Sequence, residues 1–205
     1  MITIIDYNMG NIASIENMLK KFGAEAIVTS DPSIIEEAEK IILPGVGSFD
    51  YGMNNLNKLG ITEVLKTKVL EEKIPLLGIC LGMQLLTQKS EEGTLPGLGF
   101  INAKTVKFQQ EHCEEKIKIP HMGWNYIKVN NESILFDDFN KEMRFYFVHS
   151  FYVECEKQEN VLANTQYGKT FASVIGNDNI LGVQFHPEKS HSYGMKLLKN
   201  FVELV

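Results

Sequence analysis

The first eighty residues alternate short apolar runs with stretches of helical periodicity. Ile2 to Ile5, Ala26 to Thr29 and Lys40 to Leu43 are strand-like. Between the first two, Ile12 to Phe22 spaces its apolar residues as one helix face and stops at Gly23. Asp31-Pro32 supplies a helix N-cap followed by proline at the first helical position. Further on, Ile61 to Lys73 is predicted as a helix, Pro75 to Ile79 as a strand, and Leu81 onward as another helix. Strands alternating with helices imply βαβ units, a parallel sheet and right-handed crossovers. Ile41 to Leu43 and Leu76 to Ile79 are continuously apolar, as strands covered on both faces should be.

After about Gly97 the rhythm changes. Thr105 to Phe108, Tyr126 to Val129, Arg144 to Val148, Ala172 to Ile175 and Ile180 to Phe185 are closely spaced strand-like runs, and a helix from about Ser192 to Leu204 closes the chain. The expected fold is α/β: a three-layer sandwich around a central, mostly parallel mixed sheet. No Pro/Gly/Ser-rich linker separates the halves, so residues 1–205 are expected to form a single domain.

Composition narrows the function. With 44% hydrophobic and 22% charged residues the 205-residue chain suits a globular domain. A net charge of −6 argues against a nucleic-acid partner, which would demand a basic patch. Ile74 to Leu86, the longest uncharged apolar stretch, falls well short of the roughly 20 residues that span a bilayer, and the amino terminus lacks the basic start of a signal peptide. Three scattered cysteines, Cys80, Cys113 and Cys155, suit a reducing cytoplasm better than a disulfide framework.

Cys80 stands apart from the other two. It lies between Gly78 and Gly82, where an apolar strand should give way to a helix. In open α/β sheets, sites form at the carboxyl ends of strands. Two glycines allow a sharp turn with the sulfur at its tip, the thiol counterpart of a G-x-S-x-G nucleophile elbow. A helix N-terminus adds partial positive charge and unsatisfied N–H groups. Cys113, among carboxylates, and Cys155, in a strand-like run, are assigned to structure.

A thiol that attacks a carbonyl needs a proton carrier. Among five histidines, His186 is distinctive because it ends an apolar strand and opens His186-Pro-Glu188. Proline holds the preceding residue extended, so Glu188 can reach back to the imidazole and fix its tautomer. Leu43-Pro-Gly-Val-Gly-Ser-Phe49 is glycine-rich but fails the G-x-G-x-x-G register at Asp50. It offers instead a backbone N–H for an oxyanion, beside the N–H of Leu81. One such donor is worth roughly 2.7–4 kcal/mol of barrier.

Gly78-Ile-Cys-Leu-Gly-Met-Gln84, followed far downstream by Gln184-Phe-His-Pro-Glu-Lys-Ser190, resembles the class I, triad-type glutamine amidotransferases over essentially the whole chain. Asp6 to Asn11, Ile42 to Phe49, Pro120-His-Met-Gly-Trp-Asn125 and Tyr146-Phe-Val-His-Ser150 are similar to the glutaminase subunits of imidazole glycerol phosphate synthases, from histidine biosynthesis. The resemblance implies that Cys80 attacks the glutamine carboxamide, that His186 carries the proton and that Glu188 orients His186. It implies glutamine-binding roles for Gly47, Gln84, His149, Ser150 and Phe151, the last standing where relatives carry tyrosine. It also implies oxyanion donors at Val46, Gly47 and Leu81, with the Val46 peptide reorienting to serve.

Ammonia would then pass to a (β/α)8-barrel cyclase subunit, where it reacts with a ribulosyl-formimino nucleotide. Asn11, Met122, Trp124, Asn125, Tyr146 and Lys189 are expected at or near that partner's face. No cofactor, metal, nucleic acid or membrane is implied. The rival readings are the glutaminase subunit of another amidotransferase, a γ-glutamyl thiol hydrolase acting alone, and a non-catalytic regulatory subunit.

Overall fold

The computed structural model describes residues 1–112, 116–139 and 142–205. Cys113 lies outside them. Five strands form the parallel core: β1 (Ile2–Ile5), β2 (Ala26–Thr29), β3 (Lys40–Leu43), β4 (Leu76–Ile79) and β12 (Ile180–Val183), in the order β2-β1-β3-β4-β12. From β12 the sheet continues antiparallel through β11 (Lys169–Asn177), β10 (Val161–Tyr167), β7 (His121–Val129) and β8 (Met143–His149). A branch leaves β11 through β9 (Phe151–Cys155) to β6 (Ala103–Lys107) and the two-residue β5 (Lys89–Ser90). The expected mixed sheet is therefore parallel in its first half and antiparallel beyond β12, apart from the parallel β5–β6 pair at the end of the branch.

Side chains alternate across a strand, and the core divides accordingly. Ile2, Ile4, Ile42, Leu77 and Ile79 point to one face and pack with Ile15 and Leu19 of α1 (Ile12–Lys21) and Leu197 and Phe201 of α6 (His191–Leu204). Ile5, Ile41, Leu43 and Leu76 point to the other, against Phe49, Met53 and Leu56 of α3 (Phe49–Lys58) and Ile61 and Leu65 of α4 (Ile61–Lys66). Helices on both faces make the three layers. Among the described residues no helix is long and apolar enough to cross a membrane.

Several boundaries differ from expectation for identifiable reasons. Asp31 does cap α2 (Pro32–Ile35), its carboxylate accepting from the Ser33 N–H at 2.9 Å, but the helix is one turn long. Helix α3 was not legible, since Gly52 and three asparagines weaken its propensity; burial of Phe49, Met53 and Leu56 along one stripe outweighs that. The helix expected from Ile61 to Lys73 leaves α geometry after Lys66 and runs as a π turn over Thr67–Glu71. The helix after Cys80, α5, spans only Leu81–Leu85.

Strand order is what positions the site. Gly78 lies beside Leu43 of β3, and Ile79 beside Val183 of β12. The segments that leave these three neighbouring strands, starting at Pro44, Cys80 and Gln184, emerge side by side at their carboxyl ends.

Candidate active site

Cys80 sits in the turn between β4 and α5 with φ 55° and ψ −108°. A non-glycine residue held there costs about 1–3 kcal/mol, strain characteristic of functional turns. The flanking glycines work differently from the expectation that they supply the bend. Neither has a positive φ; they supply room. A Cβ on Gly82 would lie 1.9 Å from the Leu43 carbonyl oxygen, and one on Gly78 would lie 2.8 Å from the backbone of Gly82. The elbow can form because helix and strands touch backbone to backbone.

His186 is buried, with φ −102° and ψ 97°, extended as the following proline demands. Its Nδ1 meets Glu188 Oε1 at 2.8 Å. The chain does not stay extended to achieve this: Pro187–Lys189 forms a 3₁₀ turn that folds the carboxylate back. Burial pushes the His186 pKa down, but the Cys80 sulfur and the Glu188 carboxylate outweigh it and raise the value to about 10. Nε2 is buried with no hydrogen-bond partner among the described residues. Burial raises the Glu188 pKa, yet His186 and Asn11 together hold it below the usual carboxylate range. Sulfur and imidazole thus line one cleft, with the carboxylate bonded to the imidazole's far nitrogen.

Beside it lies a cleft of about 330 Å³ lined by Cys80, His186 and every expected oxyanion and substrate residue: Val46, Gly47, Leu81, Gln84, His149, Ser150 and Phe151. The Gln84 Nε2 donates to the Phe151 carbonyl at 3.2 Å and to Gln184 Oε1 at 3.1 Å. Both of its N–H donors are thereby occupied, and its own Oε1 remains available as an acceptor. The Leu81 N–H is bound to the Gly45 carbonyl at 3.3 Å. Tyr7, fully buried, donates its hydroxyl to the Pro44 carbonyl at 2.6 Å and anchors the start of this loop from below.

Three lining residues, Glu92, Pro120 and Val148, were given no site role by the sequence reading, and Glu92 is the charged one. Glu92 reaches the cleft and accepts from the Phe49 N–H at 2.8 Å. Burial and the nearby Asp50 raise its pKa, against the lowering effect of the Phe49 N–H. The signal was a Glu91-Glu92 pair twelve residues beyond the elbow, which looks like solvated surface.

The residues expected at a partner face are partly brought together. Met122 (61% exposed) and Trp124 (42%) project from one side of β7. Tyr146 pairs with Trp124 across β7 and β8, their rings 6.3 Å apart. Arg144 lies 5.5 Å over the Trp124 ring, His191 stacks on it at 5.5 Å, and Lys189 lies 5.9 Å over Tyr146. Asn11 instead donates to Glu188 Oε1 at 2.9 Å, so it touches that carboxylate directly. Asn125 projects from the other side of β7, bonded to the Gln166 carbonyl at 3.0 Å and to His121 at 3.2 Å.

Known proteins resemble this chain along its whole length. The family model for "Glutamine amidotransferase class-I" matches residues 3–205. The imidazole glycerol phosphate synthase subunit HisH 2 of Methanococcus maripaludis is 60% identical, over 99% of both chains. The subunit of the same name from Pseudomonas aeruginosa is 48% identical over the full length of both. Among solved structures, one described as a glutamine amidotransferase superposes with a TM-score of 0.75 at 19% identity, covering 98% of this chain and 97% of its own. PurLQS from Thermotoga maritima gives 0.73 at 20% identity, covering 98% and 96%. The strained thiol, its imidazole and carboxylate, and these full-length likenesses lead to one conclusion: this chain belongs to the class I glutamine amidotransferases, within the group of HisH subunits of imidazole glycerol phosphate synthase.

Proposed function

We propose that residues 1–205 act as one cytoplasmic glutaminase domain that feeds ammonia to a (β/α)8-barrel cyclase subunit making imidazole glycerol phosphate. The observation that carries the reading is Cys80, strained and coupled to an imidazole that Glu188 holds at 2.8 Å. Glutamine enters the cleft with its α-ammonium toward the Glu92 carboxylate and its carboxamide toward the sulfur. The Cys80 sulfur attacks the carboxamide carbon, and the carbonyl oxygen becomes an oxyanion. His186, cationic at neutral pH, gives its Nε2 proton to the departing nitrogen, so ammonia leaves and a γ-glutamyl thioester remains. Water then attacks the thioester while His186 takes back a proton. Collapse expels the sulfur and releases glutamate.

The oxyanion needs two donors, and one of them, the Leu81 N–H, is taken by the Gly45 carbonyl. That carbonyl belongs to the same peptide unit as the Val46 N–H. A single rotation of the Gly45–Val46 peptide would free Leu81 and turn the Val46 N–H inward, completing the hole. Coupling this rotation to docking of the barrel keeps glutamine from being hydrolysed without a consumer. The engaged donor also speaks against a hydrolase working alone, which would need the hole formed at rest.

The test is co-purification with the barrel subunit, then glutamine hydrolysis with and without the barrel and its nucleotide ligand. Hydrolysis is expected to be weak alone and strong in the liganded complex. In the complex, Cys80→Ala should end glutamine-dependent synthesis and preserve synthesis from added ammonia. Full turnover without the barrel would support the stand-alone hydrolase, and unchanged hydrolysis in Cys80→Ala would remove the mechanism.

A further inference from the structure

Besides His186 and the Val148 carbonyl, which accepts from the thiol at 4.0 Å, the Cys80 sulfur has a further polar neighbour. Gln184 is wholly buried, and its Nε2 lies 3.8 Å from the Cys80 sulfur. We propose that Gln184 is a further residue acting on the nucleophile, donating a hydrogen bond to the sulfur in a direction fixed through Gln84 by the Phe151 carbonyl.

A carbonyl oxygen only accepts. The Gln84 side-chain atom 3.2 Å from the Phe151 carbonyl must therefore be its nitrogen. That same nitrogen lies 3.1 Å from the Gln184 side chain, so the Gln184 atom facing it must be oxygen. The Gln184 nitrogen is then left pointing at Cys80. Reversing the Gln184 amide would set two N–H groups against each other and an oxygen lone pair against the sulfur. The Phe151 carbonyl is itself held from its other side by His149 Nδ1 at 2.8 Å. The direction of the donor is thus determined by a backbone carbonyl two links away.

The donor matters because negative charge gathers on the sulfur whenever it is free, before attack and again at collapse of the thioester. Hydrogen bonds to charged groups are stronger than neutral ones, and a fully buried amide makes this contact without competition from water. The other titratable groups around the sulfur are His186 and Glu188 after β12, Tyr7 after β1, His149 at the end of β8 and Glu92 across the cleft. None of them is replaced in Gln184→Met, which adds no charge. The inference rests on Cys80 being the nucleophile proposed above.

The experiment measures the rate of iodoacetamide labelling of Cys80 against pH on the full chain, resolved from Cys113 and Cys155 by peptide mass spectrometry. Wild type, Gln184→Met and the isosteric Gln184→Glu are compared, with a thermal melt of each. Losing the donor should raise the labelling midpoint in Gln184→Met by about one unit, a roughly tenfold slower reaction below it. Gln184→Glu, which sets an oxygen against the sulfur, should raise it further. If Gln184→Met does not fold, the uncharged Gln184→Leu carries the test, since a new carboxylate would raise the midpoint by repulsion alone. A merely structural role would lower the melting temperature and leave the midpoint in place. A folded variant of either kind with an unmoved midpoint overturns the inference. Glutaminase activity surviving in Cys80→Ala would instead overturn the nucleophile assignment, so the two failures are distinguishable.

Discussion

His121 Nδ1 and His149 Nε2 lie 2.9 Å apart inside the sheet, one buried imidazole bonded to another. The direction of this bond follows from its ends. His149 Nδ1 faces the Phe151 carbonyl and must carry a hydrogen, so its Nε2 accepts from His121. His121 Nε2 in turn faces the Asn125 amide nitrogen at 3.2 Å and accepts from it, the arrangement of two neutral rings. Burial pushes His121 down to about 4 and His149 to about 3. Below about pH 6.5 the unfolded chain gains protons that the fold refuses. Stability should be full above that value and fall by a few kcal/mol as pH drops toward 4. His121→Phe keeps the stacking on Phe147 and Tyr167, so its thermal melts between pH 7 and 4.5 should fall less steeply than those of the wild type. Equal slopes would show that the pair is not neutral.

The opposite sign applies to His186. Its pKa is raised to about 10 partly by the Glu188 carboxylate, so its proton is held through neutral pH and given up only in strongly alkaline solution. Glu188→Gln removes that charge and should move the alkaline limb of kcat in the barrel complex downward by one unit or more. Activity at pH 7.5 should also fall, by about 10²–10⁴-fold, as the imidazole loses its orientation. A reduced rate with an unmoved limb would mean that Glu188 only positions the ring.

Gly82→Ala tests the elbow without touching a reacting atom. The new methyl would meet the Leu43 carbonyl at 1.9 Å, and backbone cannot step aside as a side chain can. The expected loss is about 3 kcal/mol or more, seen as a large drop in melting temperature or a failure to accumulate soluble protein. A melt near the wild-type value would mean that helix and strand are not in contact there.

The parallel core was legible because strands covered on both faces must be apolar throughout, as Ile41 to Leu43 and Leu76 to Ile79 are. The meeting of Cys80, His186 and Glu188 was legible because each sits in a short local pattern with its own geometric logic. What could not be read depended on distant contacts. Strand β10 buries Val161, Ala163 and Thr165 along one face, side chains too small or polar to announce a strand. Glu92 joins the cleft because α3 lies beside it and the Phe49 amide holds it, a meeting across 43 residues. Asn125 shares a motif with Trp124, yet alternation along β7 sends the two to opposite sides.

Glu92→Gln should separate binding from chemistry. The carboxylate is proposed to hold the α-ammonium of glutamine, far from the carboxamide that reacts. Loss of a partly buried charge pair costs roughly 2–3 kcal/mol. KM for glutamine should rise by about 30–150-fold with kcat changed far less. A fall in kcat at constant KM would place Glu92 nearer the reaction than the cleft suggests.

Trp124→Ala distinguishes a partner face from ordinary surface. In the isolated chain the indole is 42% exposed and lies beneath Arg144. An exposed cation–π contact is worth only about 0.5–1 kcal/mol, so the melting temperature should move by a few degrees at most. At the centre of an interface, a tryptophan removed to alanine commonly costs about 2 kcal/mol or more, which is a roughly 30-fold weaker complex. The two magnitudes differ enough to decide the matter. Titration of the barrel subunit, set beside a melt of the variant alone, should show a large loss of affinity and a small loss of stability. A large loss of stability with unchanged affinity would make Trp124 part of this subunit's own packing and move the docking surface elsewhere.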